Sequence, residues 1–237
     1  VAENHAATRS GDRAWTQRVA QSFDDIIRGV LVHCRDTAPE HDADNVTARL
    51  MRTEVNGKPL SEAQIVSVLR NWTGGDLGSM ALCVGVLVHY LATQTALQSR
   101  LRAGVPEAEL DAVIDENLRI DDPFVSNRRV TTCPVTIGGV QLPQGARVKL
   151  NWTSANRDEA VFGDHDAMDA QRNAPHNLVY GIGKHVCPGR LLATTQMRIV
   201  VQELLAATAS ITLDAQQSPE RAVSPVGGWA KLPVVLG

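Results

Sequence analysis

The chain has 237 residues, is 43% hydrophobic and carries a formal net charge of −3. That length suits one large domain or two small ones, and the charge lacks the basic excess of a nucleic-acid binder. The four cysteines, Cys34, Cys83, Cys133 and Cys187, are widely spaced with no Cys-x-x-Cys pair, which argues against a structural zinc site or a disulfide framework and fits a reducing cytoplasm.

Residues 1–13 form a polar N-terminal stretch, a candidate for disorder, and residues 14–237 read as one domain. Apolar residues at helical spacing (Trp15, Val19, Phe23, Ile26, Ile27, Val30, Leu31) predict a helix over 14–35. Thr37 to Asp44 reads as a polar loop, Asn45 to Thr53 as a short helix, and Asn56-Gly57 as a turn. Ser61 has the character of an N-cap for a very long helix running to about Arg102, interrupted at Gly74-Gly75. Two adjacent glycines cost about 2 kcal/mol in a helix interior, so either a bulge or a close approach by a bulky group is expected there. The longest apolar run, Met80 to Leu91, is too short to span a bilayer and reads as a buried helix.

Gly104-Val-Pro106 breaks the chain before a helix over 107–119. Val130 to Val148 is strand-like, with turns at Gly138-Gly139 and Pro143-Gln-Gly145. Asn156 to Asn177 is a long polar meander, a last helix runs from Gly189 to about Ala206, and the tail is strand and loop. The fold class is mainly α with a small β part.

The segment most specific for chemistry is Tyr180-Gly-Ile-Gly-Lys-His-Val-Cys-Pro-Gly189. Pro188 is suited to the first position of a helix, which puts Cys187 at a helix N-terminus, where the dipole and free amides favour a thiolate. Gly181, Gly183 and Gly189 remove side chains where a flat macrocycle would have to approach the backbone. Amide donors to the sulfur would tune a bound metal, and His185 is placed to donate to a carboxylate.

This pattern resembles the signature of the cytochrome P-450 superfamily of haem-thiolate monooxygenases, bacterial soluble type, with Tyr180 where the family usually has Phe and Leu192-Ala193 following as it does there. The resemblance implies haem b, with Cys187 as the iron ligand. Tyr180, Gly181 and Gly189 would form the cradle, and His185 would bind a haem carboxylate. Glu116 and Arg119 match the family's Glu-x-x-Arg motif, which implies a buried structural pair that locks the meander. Arg172 is the first candidate for the third member of that cluster, and Arg157 the second. Pro123 followed by Arg129 resembles the strand that carries a propionate-binding arginine, with Arg128 adjacent to it. His176, after Pro175, is a candidate for the haem edge. Asn156-Arg-Asp158, Phe162 and Asp164 extend the likeness through the meander.

Thr73-Gly-Gly-Asp76-Leu-Gly-Ser79 resembles the family's Ala-Gly-x-Asp/Glu-Thr stretch, whose acid–alcohol pair delivers protons to oxygen. Asp76 matches the acid, but Leu77 stands at the alcohol, leaving Thr73 and Ser79 as candidate catalytic stand-ins. The likeness runs from about Ala14 to the C-terminus and implies a cytochrome P-450 fold lacking its N-terminal portion. It implies an oxidation of a small apolar molecule by O2, with electrons from a ferredoxin- or flavin-type donor, and no membrane or nucleic-acid partner. Two alternatives stand beside it: a non-catalytic remnant that binds haem weakly or not at all and forms a homodimer through exposed core, and a peroxide-using haem-thiolate enzyme. A cysteine hydrolase is a third and weaker reading, because a nucleophile's base normally converges from elsewhere in the fold.

Overall fold

The computed structural model describes residues 2–37, 45–224 and 226–237, and the chain divides into two units, Val1–Ser79 and Met80–Gly237. Apart from Thr37, the loop expected at Thr37–Asp44 lies outside the described residues.

In the first unit the polar start forms a helix, α1 (Ala2–Ser10), followed by α2 (Arg13–Thr37). Asp12 begins α2 by accepting from the Trp15 amide at 3.0 Å. The apolar residues of α2 divide: Ile27 and Leu31 are buried with Ile65 and Val66, whereas Ile26 and Val30 are exposed. The short helix α3 (Val46–Arg52) starts at Asn45, whose Oδ1 accepts from the Ala48 amide at 2.8 Å. The hairpin β1 (Glu54–Val55) and β2 (Lys58–Pro59) turns through Asn56 and Gly57, both at positive φ. Helix α4 (Glu62–Thr73) opens with a capping box between Ser61 and Gln64, a device that contributes about 1 kcal/mol. Arg70 pairs with Asp24 of α2 at 2.8 Å.

Gly74–Gly78 forms a π-helical turn, which is how the chain accommodates the paired glycines. Helix α5 (Ser79–Thr93) continues from it and carries Cys83, Val86, Leu87 and Leu91 into the core of the second unit. The whole helical run, Glu62–Thr93, is long and apolar enough by length and composition alone to cross a bilayer. Met80–Leu91 is, as expected, helical, with Cys83, Val86, Leu87 and Leu91 buried.

The helix expected to reach Arg102 ends at Thr93 and resumes as α6 (Thr95–Arg102). The break has a local cause. Thr93 Oγ1 turns back onto the carbonyls of His89 and Tyr90, and Gln98 Nε2 takes the Leu91 carbonyl at 2.8 Å and the Ile211 carbonyl at 2.7 Å. Side chains thus satisfy carbonyls that a continued helix would have used.

Helix α7 (Glu107–Ile120) buries Leu110, Ile114 and Leu118 against Met197, Val201 and Leu205 of α11 (Arg190–Ala207). Arg198 of α11 pairs with Asp111 of α7 at 3.0 Å and also with Glu107. The β part consists of antiparallel pairs. β3 (Ser126–Val130) pairs with β6 (Arg147–Asn151), and β4 (Val135–Ile137) pairs with β5 (Val140–Leu142). β7 (Ile211–Leu213) pairs with β10 (Val234–Leu236), and β8 (Glu220–Arg221) with β9 (Trp229–Lys231). Between β6 and α11 the meander contains three single-turn helices, α8 (Trp152–Ala155), α9 (Glu159–Phe162) and α10 (Ala170–Asn173). The fold is mostly helical with small sheets.

Candidate functional site

The cysteine loop is built from backbone turns. The Gly181 amide donates to the Leu178 carbonyl at 2.8 Å, the Val186 amide to Gly183 at 3.0 Å, and the Cys187 amide back to Tyr180 at 2.8 Å. Gly181 and Gly183 have φ of 73° and 69°, the left-handed region where a side chain costs about 1–2 kcal/mol. A Cβ on Gly181 would press on the His185 carbonyl at 3.4 Å, whereas one on Gly183 would project into open space. The Cys187 sulfur is half-buried, and the position a Cβ of Gly189 would take lies 3.9 Å from it.

The helix starts later than its proline suggested. Gly189 is the N-cap and Arg190 the first helical residue of α11, so Pro188 lies in the turn before the helix. The Cys187 carbonyl accepts from the Arg190 amide, and Gly189 accepts from Ala193 at 2.8 Å. Cys187 therefore precedes the helix by a turn.

Tyr180 anchors the other end of the loop. Its hydroxyl is 3.0 Å from Thr194 Oγ1 on α11, and the Arg190 guanidinium lies 4.9 Å over its ring. Burial, helped by the charge of Asp115, pushes the Tyr180 phenol up, so it stays protonated. Arg190 also bonds Asp115 of α7 at 3.0 Å. Burial raises the Asp115 carboxyl and Arg190 pulls it partly back. Tyr180, Thr194, Arg190 and Asp115 thus tie the loop to both core helices. None of these three partners of Tyr180 was singled out from the sequence, because spacing along the chain does not reveal contacts between α7, α11 and a loop.

One residue after Asp115, Glu116 and Arg119 form a fully buried pair, with Nε to Oε2 at 2.9 Å and Nη2 to Oε1 at 2.8 Å. The remaining donors of Arg119 reach meander carbonyls, Asn156 at 2.7 Å and His165 at 3.1 Å. Its guanidinium stacks 4.5 Å over the ring of Phe162, which in turn meets His176 edge-on. Glu116 Oε1 also accepts from the Asp169 amide at 3.2 Å and from Asn173 Nδ2 at 2.7 Å. A charge pair with its leftover donors and acceptors all satisfied is the condition under which burial is tolerated.

The side chain that reaches Glu116 from the meander is therefore Asn173, not Arg172. Arg172 lies against Gly163, and Arg157 bonds the Ile120 carbonyl at 2.8 Å and Asp166 at 2.6 Å. The offset is one residue. Asp169 caps α10 by accepting from the Arg172 amide, which orients the following side chain inward. Asn173 was not foreseen, since an amide carries no charge signature in a sequence.

Arg129 lies on β3 opposite Val148 of β6, exposed, with its Nη1 on the Arg128 carbonyl at 2.9 Å. His176 and His185 are also exposed. Among the described residues no side-chain hydrogen bond ties Arg129, His176 and His185 to one another. In the first unit, Thr73 Oγ1 donates to the Leu69 carbonyl at 2.8 Å, Asp76 is half-buried in the π turn, and Leu77 is 56% exposed. No hydrogen bond joins the Thr73 or Ser79 hydroxyl to the Asp76 carboxylate among the described residues.

The family model described as cytochrome P450 matches residues 9–222. The chain belongs to the cytochrome P450 family. Among curated proteins it is similar to cyclomarin C epoxidase CymV of Salinispora arenicola, 34% identical over 81% of this chain and 48% of that protein. It is also similar to the steroid C26-monooxygenase of Mycobacterium tuberculosis strain H37Rv, 30% identical over 91% of this chain and 53% of that protein. Its fold is like that of the open cytochrome P450 EryK of S. erythraea, with a TM-score of 0.84 at 24% identity over 96% of this chain and 58% of that one. The chain spans about half the length of the curated relatives it matches.

Cytochrome P450 membership implies haem, and the cysteine loop passes a test of fit for it. The half-buried Cys187 sulfur lies 3.9 Å from the position a Cβ of Gly189 would take, a Cβ on Gly183 would meet nothing within 4 Å, and apolar side chains before and after Cys187 in the chain are exposed. Ile182 and Leu191 are 70% and 83% exposed, and Val186 and Leu192 are exposed as well. A soft sulfur donor in a segment with exposed apolar side chains suits an iron porphyrin.

Proposed function

We propose that this chain supplies the thiolate side of a haem-thiolate monooxygenase that oxidises a small apolar molecule with O2, its electrons coming from a separate ferredoxin- or flavin-type protein in the cytoplasm. The observation that carries the reading is the cysteine loop, a half-buried thiol held by the Cys187–Tyr180 backbone bond amid glycines and exposed apolar side chains. Haem bound through a thiolate supplies the electron density that favours O–O cleavage.

The protein's own part is to hold and orient. Cys187 would ligate the iron through its sulfur, and the turns at Gly181 and Gly183 keep a flat face clear. The Arg190 bridge to Asp115 and Tyr180 keeps the loop from collapsing onto that face. The Glu116–Arg119 cluster fixes the meander that carries His176, a candidate with His185 and Arg129 for the propionates. Asp76 would hold the proton for oxygen. Thr73 is already committed to the Leu69 carbonyl, so Ser79 or a substrate hydroxyl would relay it in place of Leu77.

Titration of the purified chain with haemin tests the reading. Saturation of the Soret band at one equivalent, retained in Cys34→Ala and lost in Cys187→Ala, is expected. Equal behaviour of the two variants would overturn the assignment of Cys187.

A further inference from the structure

The second unit has an open sheet edge, and its charge selects what can pair with it. β3 and β6 form a two-stranded ribbon, so each has one side without a strand. The Trp152 amide donates to the Val125 carbonyl at 3.0 Å, and the Thr131 amide to the Ala146 carbonyl at 3.0 Å. These bonds flank the pairs from Ser126–Asn151 to Val130–Arg147, all in one register. Bonded and unbonded pairs alternate along an antiparallel ladder, so Asn127 and Arg129 turn their backbone groups towards β6. Ser126, Arg128 and Val130 turn theirs outward. The Arg128 carbonyl fits this alternation, because the Arg129 side chain reaches it at 2.9 Å. Arg128 and Val130 are exposed, Val130 to 61%, so their outward amides are open to another strand.

The ribbon is cationic throughout. Between Asp122 and Asp158 the chain has no acidic residue. Directly opposite residues share a face of the ribbon, which sets Arg128 beside Lys149 and Val130 beside Arg147. Residues two apart share a face as well, so Arg128, Arg147 and Lys149 form one cluster, and all three are exposed. None of them is in an ion pair among the described residues.

Like charges directly opposite each other destabilise a sheet, so Arg128 and Lys149 work against the ribbon that carries them. Cations on an edge strand also guard it against a second copy, since an incoming β3 would bring its own Arg128. A strand with carboxylates on the same face would relieve the repulsion and use the open amides.

We propose that the outer edge of β3 binds an extended acidic polypeptide segment as an added antiparallel strand, its carbonyls on the Arg128 and Val130 amides and its carboxylates on the face of Arg128, Lys149 and Arg147. The site is tested on the 15N-labelled chain without haemin, by titration with a blocked hexapeptide of alternating glutamate and valine. Saturable shifts and slowed hydrogen exchange are expected at the Arg128 and Val130 amides, with the Asn127 and Arg129 amides little changed. Affinity is expected to fall about tenfold in Lys149→Glu, whose new carboxylate pairs with Arg128 across the ribbon and leaves the fold intact. Binding is expected to be lost when the peptide is N-methylated on its glutamates, which keeps its charge and removes the donors facing β3. An equal response to a lysine–valine peptide, or undiminished affinity in Lys149→Glu, would overturn the proposal. Undiminished binding of the N-methylated peptide would also overturn it and mark the face as a general polyanion surface.

Discussion

The Cys187 amide donates to the Tyr180 carbonyl at 2.8 Å, and the Tyr180 hydroxyl meets Thr194 on the helix that follows Cys187. The two ends of the loop are thus pinned to each other and to α11, and the thiol is positioned by backbone before any ligand arrives. Such preorganisation places the constraint on glycine as much as on cysteine. Gly183→Val is expected to destabilise the chain by about 1–2 kcal/mol through its left-handed backbone and to weaken haemin binding at least tenfold by filling the open face. Chemical denaturation together with haemin titration separates the two effects. Gly29, on α2 with nothing within 4 Å, serves as the control, and Gly29→Ala should leave haemin binding unchanged.

The Glu116–Arg119 cluster is expected to behave as a structural lock. Arg119→Ala leaves Glu116 buried and uncompensated, at a cost of about 3–5 kcal/mol. Asn173→Ala removes one neutral hydrogen bond to a charged group, about 1.5–3 kcal/mol, and Arg172→Ala is expected to cost less than either. Urea denaturation of the three variants checks the order. A larger loss for Arg172→Ala than for Asn173→Ala would contradict the geometry.

Asp122 makes stability pH-dependent. Burial pushes its carboxyl up from the ordinary 3.8 to about 6. The folded state then binds more protons than the unfolded one between those values, so stability falls as pH rises from about 4 to about 6 and levels off above. The loss attributable to this group is on the order of 2–3 kcal/mol. Denaturation across that window should show the slope in the native chain and lose this part of it in Asp122→Asn.

The cysteines should differ in reactivity. Cys83 is buried and its thiol is pushed up to about 12, by burial first and then by Asp122 and Cys187. Cys34 is buried, Cys133 exposed and Cys187 half-buried. Iodoacetamide labelling read by mass spectrometry is expected to modify Cys133 and Cys187 in the native chain and Cys83 only after unfolding. Haemin should protect Cys187 alone.

Much of this was legible in the chain because periodicity and turn chemistry are local. Ser61 capped its helix, Gly74-Gly75 marked the π turn, and Glu116 and Arg119 met because three residues is nearly one helical turn. What escaped depended on contacts between distant segments. The break after Thr93 comes from Gln98 reaching across to Ile211, and the start of α11 at Arg190 comes from a turn that contains Pro188. The partner of Glu116 slipped from Arg172 to Asn173 because the Asp169 cap sets which side chain faces inward.

The central claim is that Cys187 ligates haem iron as a thiolate. The most direct measurement is the absorption spectrum of the haemin-loaded chain after reduction and addition of carbon monoxide. The account predicts the strongly red-shifted Soret band of a thiolate-ligated haem in the native chain, absent in Cys187→Ala. A Soret band at the position of a histidine-ligated haem, or a spectrum unaltered by Cys187→Ala, would contradict it.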